Sequence, residues 1–310
     1  MSEVYEYDVV VLGGGPAGLS AALYAARAEL KTAVLEGELL GGQIGTTTHV
    51  ENYPGSIVDC TGPALIERME QQAMSFGAQV VYDEAVSIKK EDRLFEVLGE
   101  SGDIYRAKAV IASLGASPVM LGIDGEERLR GRGVSYCATC DAGFFRDMDV
   151  AVVGGGDTAL QESIFLTKFA KKVYVVHRRD EFRGGKALQN RVFENEKIQL
   201  VLNSTPERIL GDEEVTGLEV KNKVTGEVST LDVSGVFMFV GYNPDSALVK
   251  DFADTDQRGY VMTEDDMSVR EEGLFVAGDV RKKPLRQAIT AASDGAIAAV
   301  SAELYIDHNF

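Results

Sequence analysis

The chain has 310 residues, a length that suggests two domains at roughly 100–200 residues each. Hydrophobic residues make up 45% and charged ones 26%, the proportions of an ordinary globular protein, but 31 basic residues against 49 acidic ones give a formal net charge of −18. That balance repels phosphate backbones and anionic membrane surfaces, which argues against nucleic-acid and polybasic membrane binding, and three cysteines are too few to staple a secreted scaffold.

Tyr7–Leu12 (YDVVVL) opens the chain as a short β-branched run suited to a buried parallel strand. The turn Gly13-Gly14-Gly15-Pro16-Ala17-Gly18 follows, then helix formers over Leu19–Leu30 and a second apolar strand, Lys31–Glu36. Val9–Ala26 carries no charge and reaches the length of a membrane span. The glycine turn breaks that run, and the acids Glu3, Glu6 and Asp8 precede it where a signal peptide needs a basic start. The expected location is therefore cytoplasmic.

Ala107–Leu114 reads as a buried strand closing this first unit. The opening phrase then recurs: strand Asp149–Val153, turn Gly154-Gly155-Gly156-Asp157-Thr158-Ala159, helix Leu160–Phe169 and strand Lys172–Val176. Its recurrence predicts two dinucleotide-binding domains of related build. Glu207–Lys221 and Glu227–Asp232 alternate like an antiparallel excursion, and Gly235–Val240 is another buried strand. Leu274–Ala277, Gly278-Asp279 and a small-residue helix over Arg286–Tyr305 complete the chain. Gly115–Pro118 and Gly241–Pro244 punctuate it as candidate hinges.

Gly13, Gly15 and Gly18 satisfy G-x-G-x-x-G between a strand and a helix. The first glycine permits the tight turn, the second lets a pyrophosphate reach the backbone, and the third lets helix and strand pack closely. Glu36 ends the following strand, where a carboxylate accepts from ribose hydroxyls. The second turn ends in Ala159, an accepted variant, but its strand runs into His177, Arg178 and Arg179, with Arg183 beyond. A carboxylate there would repel a 2′-phosphate, whereas guanidiniums hold one through charge-assisted bidentate bonds. The first site thus reads as one for an adenine dinucleotide with free ribose hydroxyls and the second as one for NADPH.

Cys137-Ala138-Thr139-Cys140 precedes the second unit and is followed directly by Asp141. Zinc would need two more ligands at metal spacing, and Cys60, His49, His177 and His308 stand singly. A redox disulfide is the better reading: a thiolate of lowered pKa is a competent nucleophile, and an adjacent acid can carry the proton of each exchange step. Asp141 as a helix cap is the alternative left open. Cys60 reads as structural.

Taken together, these motifs resemble those of the low-molecular-weight, bacterial-type thioredoxin reductases, class II of the pyridine nucleotide-disulfide oxidoreductases. The likeness spans nearly the whole chain, through Gly13–Gly18, Gly41-Gly42-Gln43, Glu51-Asn52-Tyr53-Pro54-Gly55, Cys137–Asp141, Gly154–Ala159, His177–Arg183, Ala277-Gly278-Asp279 and Arg286-Gln287-Ala288. It implies an α/β fold of two Rossmann-like, three-layer ββα domains, the second inserted into the first. Residues 1–117 and 245–310 would bind FAD and residues 118–244 would bind NADPH and carry the C-x-x-C. FAD would be held by Gly13, Gly15, Pro16, Ala17, Gly18, Glu36, Gly42, Gln43, Asn52, Gly115, Asp279, Arg286, Gln287 and Ala288. NADPH would be held by Gly154, Gly156, Asp157, Thr158, Ala159, His177, Arg178, Arg179 and Arg183.

The resemblance further implies a homodimer in which electrons pass from NADPH to FAD, to the Cys137–Cys140 disulfide and to oxidised thioredoxin. Cys140 would face the flavin, Cys137 would attack thioredoxin, Asp141 would be the acid–base group, and one domain would rotate against the other between half-reactions. The chain departs from the family pattern at Ser113-Leu114-Gly115, where Ala-Thr-Gly is usual, and at Gln161, where an acid is common, although Glu162 follows. Relatives that draw electrons from ferredoxin or pass them to oxygen generally lack the arginine cluster, so Arg178, Arg179 and Arg183 argue for NADPH. A redox sensor without turnover would not need two complete nucleotide sites.

Overall fold

The computed structural model describes residues 2–37, 40–47, 50, 52–57 and 60–310. The chain divides into two compact units, Met1–Ser117 with Asn243–Phe310, and Pro118–Tyr242.

The first unit begins with β1 (Val4–Leu12), α1 (Pro16–Arg27) and β2 (Thr32–Glu36). α1 starts at Pro16 rather than Leu19 because proline at the first helical position supplies the helical φ and lacks only an N–H that would be unpaired there. No elements are expected from the sequence between β2 and Ala107, and the structure forms α2 (Gly62–Ser75), β3 (Gln79–Tyr82) and a β4–β5 hairpin (Ala85–Glu91 and Leu94–Gly99) there; the strand expected over Ala107–Leu114 is β6 (Ile104–Ala112). The Thr61 hydroxyl caps α2 by accepting from the Ala64 N–H at 3.2 Å.

After β7 (Ala116–Pro118) come β8 (Val134–Ser135), α3 (Ala138–Asp141), β9 (Asp149–Val153), α4 (Asp157–Leu166), β10 (Lys172–Val176), α5 (Lys186–Phe193) and β11 (Ile198–Val201). The predicted antiparallel excursion is a meander of β12 (Ser204–Leu210), β13 (Gly217–Asn222) and β14 (Val228–Leu231). β15 (Gly235–Met238) and β16 (Tyr242–Pro244) follow, then β17 (Leu274–Val276) and α6 (Ala288–Asn309).

Seven strands form the first unit's sheet in the order β3-β2-β1-β6-β5-β4, with β17 alongside β6. β5 pairs with the first half of β6 antiparallel and β17 with its second half in parallel, so one edge of β6 serves two partners while β1 pairs along the other. Val9 and Val11 of β1 face a core of Ala17, Ala21, Ala25, Ala298 and Ala302, while Val10 and Leu12 face Leu35, Phe95 and Val249. α1 and α6 approach closely because their contact is made of small residues; a Cβ at Gly295 would lie 2.0 Å from the Ala17 carbonyl oxygen.

The second unit repeats the plan with five parallel strands, β11-β10-β9-β15-β8. Val150 and Val152 pack on Ala159 and Leu160 of α4, and Ala151 and Val153 pack towards Leu218 and Val220 of the meander. Helix on one face and antiparallel sheet on the other make this the three-layer Rossmann-like arrangement. The glycine turns leave the carboxyl ends of β1 and β9, where open α/β sheets bind ligands. The two chain crossings, β7 and β16, pair as a short ribbon.

Candidate active site

At the first turn Gly13 has φ 95° and a Cβ there would sit 2.6 Å from the Ser113 carbonyl oxygen, while one at Gly18 would sit 1.8 Å from the Gly13 oxygen. Both glycines are therefore required by packing. Gly15 differs: the nearest atom to its added Cβ is the Gly41 oxygen at 3.8 Å, and as the N-cap it begins α1 with no side-chain cap bond. The helix N-terminus is open to an anion. Glu36 accepts from the Gly14 N–H at 2.7 Å through Oε2 and from the Gly37 N–H at 2.9 Å through Oε1, which fixes its carboxylate at the strand end. Ser113, one of the departures from the family pattern, bonds to the turn through Oγ, 2.8 Å from both the Leu12 and Gly13 carbonyl oxygens.

The two ends of the chain meet in this unit. Asn52 Nδ2 donates to Gln287 Oε1 at 3.0 Å, Gln43 Nε2 donates to the Ala116 carbonyl beside Gly115, and a Cβ at Gly278 would lie 3.0 Å from the Ala17 Cβ. Gly42 (φ 54°) and Gly115 (φ 76°) occupy left-handed backbone, which suits glycine. Glu51 of the Glu51–Gly55 run, and His49, lie outside the described residues. Asp279 follows Gly278, its buried Oδ1 paired with the Lys283 ammonium at 3.3 Å. Burial pushes its carboxyl up from the ordinary value, with Lys283 and Arg286 opposing. The Arg286 guanidinium lies 3.9 Å from the centre of the Tyr260 ring, and Gln287 caps α6 in a reciprocal capping box with Thr290, directly before Ala288. Sequence reasoning missed the brace behind this loop: buried Asp294 accepts from Arg281 at 3.0 Å, Lys283 at 3.0 Å and the Gly278 N–H at 3.1 Å.

The second turn shares the plan and changes the chemistry. Gly156, the N-cap, begins α4 without a side-chain cap bond, and a Cβ there would meet nothing within 4 Å. Ala159 is buried where the first turn has Gly18, Thr158 follows Asp157 in the first turn of α4, and Asp157 accepts from the Gly185 N–H at 2.7 Å. The Arg183 N–H donates to the Gly155 carbonyl at 2.8 Å, folding the arginine loop back onto the turn.

His177 is buried with its ring against Gly155, where a Cβ would come within 2.3 Å of it, and Nε2 donates to the Glu181 carbonyl at 3.2 Å. Burial lowers its pKa, and Arg183, Arg179 and Arg178 lower it further. Its place is beneath the turn. Arg178, Arg179 and Arg183 are exposed, and no ion pair among the described residues occupies them. Glu162, after the Gln161 departure, has a buried Oε2 without a hydrogen bond, and burial raises its pKa.

Cys137 and Cys140 form a disulfide across α3. Cys137 is the N-cap, its Sγ accepting from the Cys140 N–H at 3.2 Å. The helix-cap alternative for Asp141 fails: it precedes the 3₁₀ turn at Ala142–Phe145 but makes no side-chain cap bond there. Its Oδ2 accepts from the Ser135 hydroxyl at 2.6 Å. Cys60, by contrast, is buried and free, packed with Val50 and Leu65.

Comparison with known proteins gives one family model, described as pyridine nucleotide-disulphide oxidoreductase, matching residues 7–295. A thioredoxin reductase from Peptoclostridium litorale is 52% identical over 310 residues, covering 98% of both chains. One from Peptoclostridium acidaminophilum is 50% identical over 310 residues, again covering 98% of each. The crystal structure of thioredoxin reductase from Streptococcus pyogenes superposes with a TM-score of 0.92 at 44% identity, covering 98% of this chain and 99% of that one.

Proposed function

The chain belongs to the pyridine nucleotide-disulphide oxidoreductase family, and from that premise we propose that it is an FAD-dependent thioredoxin-disulfide reductase driven by NADPH. The observation that carries this is the Cys137–Cys140 disulfide, with Asp141 beside it, in the unit whose strand β10 runs on into the arginines.

The residues fit both cofactors. In the first unit the open approach at Gly15 suits a pyrophosphate, and the buried Asp279 Oδ1, facing Lys283 at 3.3 Å, has acceptor capacity left for a hydroxyl donor. FAD is assigned to residues 1–117 and 245–310, on Gly13, Gly15, Pro16, Ala17, Gly18, Glu36, Gly42, Gln43, Asn52, Gly115, Asp279, Arg286, Gln287 and Ala288. NADPH is assigned to residues 118–244. Gly154, Gly156, Asp157, Thr158 and Ala159 present the helix N-terminus to its pyrophosphate; Arg178, Arg179 and Arg183 take the 2′-phosphate, with His177 packed under the turn. When bound, the two cofactors supply a two-electron path from a nicotinamide to a disulfide.

The protein's own chemistry begins at the dithiol. Cys137 attacks the partner disulfide, Cys140 resolves the mixed disulfide, and Asp141 moves the proton. Rotation of one unit against the other between half-reactions is part of the proposal, with Gly115 (φ 76°) and Gly241 (φ 140°) at the crossings as pivots. Among the described residues no helix is long and apolar enough to cross a membrane. We assign the enzyme as a homodimer, which light scattering on the purified protein tests, and place it in the cytoplasm by its likeness to the bacterial-type reductases.

The deciding experiment is an anaerobic titration followed by flavin absorbance. NADPH should bleach the flavin with about two equivalents, and about one in Cys140→Ser, because each equivalent carries two electrons. The reduced enzyme should then convert oxidised thioredoxin to its dithiol. Sluggish bleaching by both NADPH and NADH would overturn the NADPH reading and favour ferredoxin or a small-molecule dithiol.

A further inference from the structure

Ser135 ends the two-residue strand β8 and is 5% exposed. Its Oγ is the meeting point of three contacts: Asp141 Oδ2 at 2.6 Å, the Cys137 carbonyl oxygen at 3.2 Å and the Cys137 N–H, from which it accepts, at 3.1 Å. A hydroxyl has one proton to give and two acceptors here to receive it. With Asp141 ionised, the proton goes to the carboxylate, the shorter and charge-assisted bond. With Asp141 protonated, the carboxyl becomes the donor to Oγ and the hydroxyl proton turns to the Cys137 carbonyl. Both protonation states are hydrogen-bonded over one set of heavy-atom positions, and the Cys137 N–H bond is kept in each.

We propose that Ser135 is the positioning residue of the thiol–disulfide exchange, holding Asp141 beside the Cys137–Cys140 pair in both of its protonation states and setting the pH at which it passes the proton. This rests on the reading of Asp141 as the acid–base group. The dithiol enters with two S–H protons. Asp141 takes one as the Cys137 thiolate attacks a sulfur of the partner disulfide, breaking that S–S bond and forming the mixed disulfide, and returns it to the departing partner thiolate. The Cys140 thiolate then attacks the Cys137 sulfur, re-forming the Cys137–Cys140 bond, and its proton passes by the same carboxyl to the second partner thiolate. The enzyme loses two electrons and two protons, and the partner gains both.

The test is the pH dependence of kcat/KM for oxidised thioredoxin, with NADPH saturating, in the parent, Ser135→Ala, Ser135→Thr and Asp141→Asn. A hydrogen bond to a charged group favours the ionised carboxylate, so its loss moves the low-pH limb of Ser135→Ala upward by about one unit. At a pH on that limb the rate falls about tenfold, chiefly in kcat. Ser135→Thr keeps the hydroxyl and returns the limb to its parental position. A purely structural role would lower the rate equally at every pH and leave the limb in place, so superimposed limbs for the parent and Ser135→Ala overturn the proposal. Parental behaviour in Asp141→Asn overturns the acid–base reading beneath it, and a parent inert towards thioredoxin overturns the proposed function itself.

Discussion

The two glycine turns are built alike as far as the end of their second strands, and there they part. In the first unit Glu36 closes the turn by accepting from the Gly14 and Gly37 N–H groups, so a carboxylate stands fixed where ribose hydroxyls would come. In the second, the ring of His177 fills the space beside Gly155 and the chain turns outwards with Arg178, Arg179 and Arg183 exposed. On the proposed reading one backbone solution serves two nucleotide chemistries, chosen by the few residues after a strand. The third turn position shows a second difference. Gly18 has no room for a methyl group, whereas the equivalent Ala159 already carries one.

The sharpest way to break this comparison is Gly18→Ala. Its Cβ would fall 1.8 Å from a backbone oxygen and 2.7 Å from Ser113 Oγ, so a loss of more than about 3 kcal/mol is expected. Flavin content and thermal unfolding check it; a stable, yellow variant would show that α1 is free to shift. Gly156→Ala probes the open position of the other turn, where nothing lies within 4 Å. Stability should stay within about 0.5 kcal/mol. Nucleotide affinity should fall by about tenfold as the methyl group meets the pyrophosphate, as read by NADPH titration.

A smaller effect is expected for Ser113→Ala, which removes the hydroxyl bonded to the Leu12 and Gly13 carbonyls. About 1 kcal/mol should be lost in a denaturant titration, with the first unit's flavin affinity affected before the second unit's NADPH affinity. The smallest effect concerns His177. Its folded pKa lies below the ordinary 6.5, so the unfolded chain binds the proton more readily. Stability is then full above about pH 6.5 and declines as pH falls towards the folded pKa. His177→Gln should flatten the plot of melting temperature against pH below about pH 6.5; an unchanged slope would assign the acid sensitivity elsewhere.

Both glycine turns, the C-x-x-C and the acid–arginine contrast were legible because each is a local run whose chemistry survives translation into structure. The β-branched runs at Val9–Leu12 and Val150–Val153 likewise specified buried parallel strands. What stayed hidden depends on tertiary partners. Asp294 looks like any helix acid until Arg281 and Lys283 fold against it. Ser135 looks like a strand serine until the α3 turn brings Asp141 to within 2.6 Å. The β4–β5 hairpin was missed because Lys89, Lys90, Glu91, Asp92 and Arg93 interrupt its apolar alternation at the turn.

The central claim is that the second turn is selected for NADPH by the guanidiniums that replace a Glu36-like acid. The most direct measurement is the ratio of kcat/KM for NADPH to that for NADH in the parent and in an Arg178→Gln/Arg179→Gln variant, with flavin content measured alongside. At about 1.5–3 kcal/mol for each charge-assisted bond lost, the ratio should collapse by at least about a hundredfold through a rise in KM for NADPH, with NADH kinetics and bound flavin unchanged. A ratio that stays at the parental value would contradict the claim and place nucleotide selection outside the arginine loop.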